Sequence, residues 1–291
     1  MPDTAQAARP TVTPTGAALG ADIGGVDLRQ PLDDAAFAVI ERAWMDHLVL
    51  RFRGQRLDDD QLMRFSARFG KLDRAPVQAA SVAEDKRPNE WVTIISNVKV
   101  DGKPIGGLGS YESLWHTDMS YNDEPPIASL LHAHEIPARG GDTGFANMYR
   151  AYETLPADLK ARVQGLKCKH DSSRNSVGEL RKGFKEVADP REAPGAVHPI
   201  VRTHPVTRRK ALFLGRRRNA NVIGLDLADS EALLDALWDH ATAPALCWTQ
   251  QWRVGDLILW DNRCVMHRRD AFDDGARRVM HRTQICGDRP Y

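Results

Sequence analysis

The apolar segments of this chain are short and closely punctuated. Residues 49–52 (VLRF), 91–97 (WVTIISN), 127–135, 256–260 (DLILW) and 278–286 are brief runs rich in Val, Ile, Leu or Trp, separated by Gly, Pro, Asp or Asn. Runs of that length suit strands better than helices. Further strands are read at 198–203, 211–214 and 248–254, and glycine-rich 12–28 reads as short strands joined by turns. Helical spacing is confined to a few places. Ala36, Ile40, Trp44 and Leu48 recur behind an N-cap at Asp33 or Asp34. Residues 58–69 open at Asp58 and close at Gly70, residues 147–166 contain a helix, and 229–242 starts at Asp229 or Ser230. Many short strands with helices placed early or in insertions predict a mainly β fold with flanking helices, a sandwich or barrel with the helices outside it.

Composition then removes several function classes. Lys plus Arg total 40 against 39 Asp plus Glu, a net charge of +1, which argues against a nucleic-acid binder that works by neutralising phosphates. Charged residues at 27% and hydrophobic ones at 42% exclude collagen, coiled coil and disordered tail. No stretch approaches the ~18 apolar residues of a membrane span. The N-terminus lacks a basic segment followed by an apolar run, so no secretory signal is read, and 1–11 reads as a loose arm. Cys168, Cys247, Cys264 and Cys286 form no CxxC pair and read as reduced thiols of a cytoplasmic protein. The 291 residues allow one large domain or two small ones. Polar 168–197, long and without clear structure, reads as a functional lid.

The chemistry concentrates in three segments. In Leu114-Trp115-His116-Thr117-Asp118, an extended backbone turns His116 and Asp118 to one face. An imidazole and a carboxylate side by side supply two-thirds of the 2-His-1-carboxylate set that suits non-haem Fe(II). Alone, HxD is more often a pair of surface polar residues. The third ligand must come from far along the chain, and His267, just beyond the 256–260 strand, is the candidate, although a surface histidine beside Arg268 and Arg269 reads as well alone. In 276–282 (ARRVMHR), Arg278 and Arg282 are four apart and share one face of a strand, while His281 alternates away. Two inward arginines are costly unless each meets an anion. A solvated basic edge strand is the other reading of this segment. His132 and His134 form HxH on a strand; with no third ligand nearby, they read as strand polar residues rather than a zinc pair. His198 and His204 read as structural, Trp115 and Trp260 as packing, and Lys99 and Lys103 as solvated loop residues.

The order LWHTD, GGDT (140–143), HPIVRTHP (198–205), WDNRCVMH (260–267) and RRVMHR (277–282) resembles the taurine dioxygenase / 2,4-dichlorophenoxyacetate dioxygenase (TauD/TfdA) family, from about residue 12 to 288. The early GADIGGVDL and 52–57 (FRGQRL) look like this family too. The resemblance implies a single domain with a double-stranded β-helix (jelly-roll) core. It implies an oxygenase that uses Fe(II), 2-oxoglutarate and O₂, and releases succinate and CO₂ as a substrate C–H is hydroxylated. Carried over position by position, His116, Asp118 and His267 would bind iron. Thr143 and Arg278 would hold the distal carboxylate of 2-oxoglutarate, and Arg282 would meet the anionic group of a small-molecule substrate. A homo-oligomer, dimer or tetramer, is also implied. Asp142 would fix the GGDT turn.

The substrate is less legible. Ala75 and Gln78 stand where taurine enzymes of the family carry a His and a Tyr, and Glu112 where they carry an Asn. The pocket for an amino sulfonate is therefore missing. Residues 95–103 (ISNVKVDGK) and WDNRC look more like the aryloxyalkanoate branch, so a carboxylate substrate is expected, with a sulfonate or sulfate ester as the alternative. Glu112 either meets a cationic substrate group or faces solvent. A zinc hydrolase or a non-catalytic metal sensor on the same barrel are the competing classes; the hydrolase would leave Thr143 and Arg278 without a role.

Overall fold

The computed structural model describes residues 9–75 and 90–291. The arm's first eight residues, and Gln78 with most of the 74–90 segment, lie outside the described residues.

Two sheets make the jelly-roll core. The larger runs, in spatial order, Thr11–Pro14, Ala21–Gly24, Val49–Phe52, Leu257–Asp261, Ala128–Glu135, Val279–Ile285, Thr93–Ser96 and Gly107–Leu108. The smaller runs Cys247–Gln250, Thr143–Asn147, Val265–Arg269 and Ser113–His116. Period-2 alternation sorts the side chains. On Ala128–Glu135, Leu131 and Ala133 join the core between the sheets, while Ala128 and Leu130 join a second core on the outer face. That outer core is closed by helix Asp34–His47, whose Ala36, Phe37, Ile40 and Trp44 are buried, and by helix Asp59–Ser66.

The helix ends follow from local chemistry. Asp33 accepts the Ala36 N–H at 2.7 Å. Asp58 and Gln61 form a reciprocal capping box, and Gly70, at φ 144°, ends the 3₁₀ turn Ala67–Phe69. The 147–166 segment forms two helices, Met148–Glu153 and Ala157–Arg162, because Pro156 cannot continue the first. The last long helix, Leu227–Ala241, starts earlier than expected: Asp226, not Asp229 or Ser230, is its cap. The Ser230 hydroxyl is taken by the Val222 N–H at 2.8 Å.

Two further expectations are corrected. Segment 101–114, whose Gly and Ser content predicts a loop, carries strands at Lys103–Pro104 and Gly107–Leu108 and the start of Ser113–His116. Lys99 and Lys103 lie exposed on a small hairpin turned by Asp101 and Gly102, both at positive φ. His267 follows the Leu257–Asp261 strand and a short connector, as expected, but sits in the middle of the next strand, Val265–Arg269, rather than at a strand end. No described helix is long and apolar enough to cross a membrane, and the four cysteines are free.

Candidate active site and metal centre

The site forms where the smaller sheet meets the larger. His267 and His116 are register partners on adjacent antiparallel strands, so their rings lie side by side, tilted by 47° with centroids 4.1 Å apart. The chain leaves its strand after His116, Thr117 donates its N–H to Gly215 at 3.0 Å, and Asp118 turns inward. All three side chains are buried. Their ligand atoms lie within 4.8 Å of one another, with Asp118 Oδ1 3.7 Å from His116 Nε2 and 3.9 Å from His267 Nε2. Ligand bonds of ~2.1 Å to one first-row cation put neighbouring donors roughly 3–3.6 Å apart, so a small inward shift closes the shell.

The donor set fits a divalent metal on local evidence. His116 donates Nδ1–H to the Leu114 carbonyl at 2.7 Å, which leaves the Nε2 lone pair directed at the site. The buried Nδ1 of His267 has no partner among the described residues. Asp118 is held on both ends. Its backbone N–H and C=O pair with the Asn262 side chain, at 2.9 Å each, and Asn262 also donates to Pro126 O at 2.8 Å. Its carboxylate accepts from Ser129 at 2.8 Å and from Arg282 Nη1 at 3.1 Å to each oxygen. Burial works to raise the Asp118 carboxyl, but Arg282, His267 and His116 together hold it well below the usual carboxylate range. Burial, with His116 beside it, pushes His267 well down, so it stays a neutral donor.

Arg278 and Arg282 both point inward, as the strand period requires, with Met280 between them in the core. Arg278 is fully buried with no carboxylate partner and an unpaired Nε among the described residues. Burial, helped by Arg269, draws its guanidinium down to about 9, with Asp142 opposing. Its backbone is pinned by Asn97, which accepts the Arg278 N–H at 3.1 Å. The GGDT turn makes room for it: at Gly141, φ +71°, a Cβ would come within 3.3 Å of the Arg278 side chain. Thr143 and Phe145 share a strand face, and Phe145 packs against His267 with centroids 6.2 Å apart. Thr143 Oγ1 accepts from Trp252 Nε1 at 3.0 Å, so its proton is free to donate.

A cleft with an empty volume of about 710 Å³, open mouth included, leads to Asp118 and Arg282. Ile95, Leu108, Met119 and Leu180 give it apolar walls. Tyr121, Arg181 and Arg216 line its other side, with the Arg181 guanidinium 4.2 Å and that of Arg216 5.0 Å from the Tyr121 ring centroid. Arg216 is placed beside the donor set by an isolated bridge to His116. Sequence reasoning missed it because the run Arg216-Arg217-Arg218 looks like a solvated basic loop. Arg217, paired with Glu231 and Asp235, and the exposed Arg218 fit that description; Arg216 does not. Asn262 was also missed, although WDNRC was noticed. Segment 168–197 supplies Asn175, Ser176, Leu180 and Arg181 to the cleft, from a tight excursion pinned by the Arg174–Leu180 bridge.

Other residues fall outside. Glu112 lies on the surface, 3.5 Å from Arg268 and about half exposed, and does not line the cleft. Trp260 packs on His267, with centroids 4.8 Å apart. His204 is buried against Asp261 at 3.0 Å, and His198 meets the Asn122 carbonyl at 2.8 Å. His132 and His134 do have further donors nearby: folding brings His281 and Asp59 to the same outer face.

The family model described as "Taurine catabolism dioxygenase TauD, TfdA family" matches residues 11–284. An alpha-ketoglutarate-dependent 2,4-dichlorophenoxyacetate dioxygenase from Cupriavidus pinatubonensis is 36% identical over 280 residues, covering 92% of this chain and 94% of that one. An alpha-ketoglutarate-dependent sulfate ester dioxygenase from Pseudomonas putida is 32% identical over 292 residues, covering 96% and 90%. Among solved structures, AAD-2 in complex with Mn(II) and N-oxalylglycine superposes with a TM-score of 0.78 at 31% identity, covering 97% of this chain and 98% of that one. The chain belongs to the TauD/TfdA dioxygenase family.

Proposed function

We propose that this protein is an Fe(II)- and 2-oxoglutarate-dependent dioxygenase that hydroxylates a small organic anion, a carboxylate of the aryloxyalkanoate type. One observation carries the reading: a buried His116–Asp118–His267 donor set opens onto an apolar cleft that Arg282 lines, and Arg278, four residues before Arg282, is buried with no carboxylate partner among the described residues. When bound there, iron with 2-oxoglutarate and O₂ supplies C–H hydroxylation coupled to release of succinate and CO₂.

The protein's own residues do the positioning. His116, Asp118 and His267 would hold the metal, and three protein donors would leave it able to take the co-substrates as well. Arg278 takes the distal carboxylate of 2-oxoglutarate in a two-pronged ion pair, and Thr143 adds a hydroxyl donor. Arg282 braces Asp118 and presents its remaining N–H groups to the substrate anion, with Arg216 facing the same cleft. Ile95, Leu108 and Leu180 exclude water and suit an aryl or alkyl body. Segment 168–197 covers the cleft as its lid, and the chain acts as one catalytic domain. The reading includes a cytoplasmic homo-oligomer, which light scattering and cell fractionation test.

A second reading, the same chemistry on a sulfonate or sulfate ester, is favoured by the number of cleft arginines and by the sulfate ester relative. Succinate release from 2-oxoglutarate with Fe(II) separates the two. The panel is 2,4-dichlorophenoxyacetate, 2-phenoxypropionate, taurine and an alkyl sulfate. Stimulation by the aryloxy acids supports the first reading, and stimulation by alkyl sulfate alone selects the second. Stimulation by none of the four contradicts both.

A further inference from the structure

On the side of the large sheet away from the cleft, three histidines and an aspartate meet. His132 and His134 are two apart on Ala128–Glu135, and His281, on the neighbouring strand, is the register partner of His132. The side-chain period therefore turns all three to the outer face, opposite Arg282. Helix Asp59–Ser66 crosses this face and brings Asp59 to it as its first residue. One donor atom each from Asp59, His134 and His281 lies within 4.8 Å of the other two. The Asp59 carboxylate is 2.6 Å from His281 Nδ1, and the His134 and His281 rings are 4.0 Å apart, centroid to centroid.

The hydrogen bonds orient this set for a cation. His132 Nε2 is 2.7 Å from the Gln55 carbonyl, which only accepts, so that nitrogen carries the proton. The Nδ1 of neutral His132 must then accept, and it does so from His134 Nε2 at 3.1 Å. In neutral His134 this leaves the other nitrogen with a free lone pair. A ligating imidazole commonly gives its second N–H to such an acceptor. A metal ion bound by Asp59 and His281 would replace their hydrogen bond, with the two donors opening from 2.6 Å to the roughly 3 Å or more that a shared ion requires and the proton moving to the far nitrogen of His281. All three donors are only partly buried, so an ion and a completing water can reach them.

We propose that Asp59, His134 and His281 form a second metal site, independent of the catalytic one, for a late first-row divalent ion such as Zn(II). Two imidazoles and one carboxylate suit that class rather than Ca(II) or Mg(II). The site clips the start of helix Asp59–Ser66 to two adjacent strands of the large sheet, Ala128–Glu135 and Val279–Ile285, and His132 is its positioning residue.

The test is a Co(II) titration of the full-length, metal-stripped protein, read by visible absorption and by equilibrium dialysis. Wild type takes up two equivalents, and the double variant His116→Ala/His267→Ala keeps one. In that background, Asp59→Asn and His134→Gln each weaken the remaining site by more than the roughly 10–100-fold that a change outside the ligand shell costs. Asp59 is partly exposed and Asn nearly isosteric, so this variant keeps its fold, which far-UV circular dichroism checks. In the wild-type background, Asp59→Asn leaves Fe(II)-dependent succinate release unchanged. Uptake by wild type of a single equivalent that the double variant loses overturns the proposal. So does a second equivalent that both Asp59→Asn and His134→Gln leave intact.

Discussion

Replacing Asn262 with Ala should damage the metal centre without touching a ligand. The Asn262 side chain is 1% exposed and makes three hydrogen bonds, to Asp118 N, Asp118 O and Pro126 O, at 2.8–2.9 Å. At about 1 kcal/mol net for each buried hydrogen bond, Asn262→Ala loses about 3 kcal/mol of folding stability. That is roughly two decades in the ratio of folded to unfolded protein. The backbone of Asp118 loses the side chain that fixes both its N–H and its C=O, so its carboxylate, still bonded to Ser129 and Arg282, is set less accurately against the two imidazoles. Metal affinity should fall about 10–100-fold, as for other changes behind a ligand. Urea unfolding gives the first quantity and competition against a chromophoric chelator gives the second. A loss below about 1 kcal/mol with unchanged metal affinity would refute the idea that Asn262 sets the Asp118 position.

Other outcomes follow from neighbouring residues. Arg278→Leu should raise the KM for 2-oxoglutarate about 10–100-fold, since a charge-assisted hydrogen bond contributes roughly 1.5–3 kcal/mol, while Arg278→Lys recovers part of it; initial-rate succinate assays measure both. Arg216→Met should raise the KM of the primary substrate and leave that of 2-oxoglutarate unchanged, and the reverse pattern would move Arg216 to the co-substrate. Burial works to raise the Asp261 carboxyl, but the Arg263 fork and then His204 hold it below the usual carboxylate range. A lowered folded-state pKa stabilises above the unfolded value and is lost as pH falls through the folded one. The stability gap between wild type and Asp261→Asn should therefore be full at pH 7 and shrink below about pH 4, as denaturant melts across that range would show. Stripping metal with a chelator should lower Tm, and re-adding Mn(II) at 100 times its Kd should restore about 2.7 kcal/mol.

The strands and the inward arginines were legible because burial on both sheet faces enforces a strict two-residue period. That period alone puts Arg278, Met280 and Arg282 on one side and His281 on the other. The strand Val265–Arg269 was harder to see because its sequence ends in two arginines. Arg268 faces the Trp115 ring at 5.5 Å, and buried Arg269 spends its guanidinium on the Leu108 and Tyr111 carbonyls, so both charges are tolerated in a strand. The cap of helix Leu227–Ala241 was misplaced because Asp226, Asp229 and Ser230 all compete for it, and only the tertiary bond from Val222 to Ser230 decides. Glu112 was placed by motif spacing alone, which carries no information about which side of the strand's approach faces the cleft. Arg216 and the Asp59–His134–His281 group could not be read at all. Each depends on segments far apart in sequence that meet only in the folded sheet.

The proposed function stands on His116, Asp118 and His267 together holding the iron on which turnover depends. The most direct measurement is succinate formed from 2-oxoglutarate by His116→Ala, Asp118→Ala and His267→Ala, each with saturating Fe(II) and with the substrate that best stimulates wild type. Each variant should lose turnover by at least about two decades while keeping the wild-type fold. Turnover near the wild-type rate in any one of the three would contradict the claim.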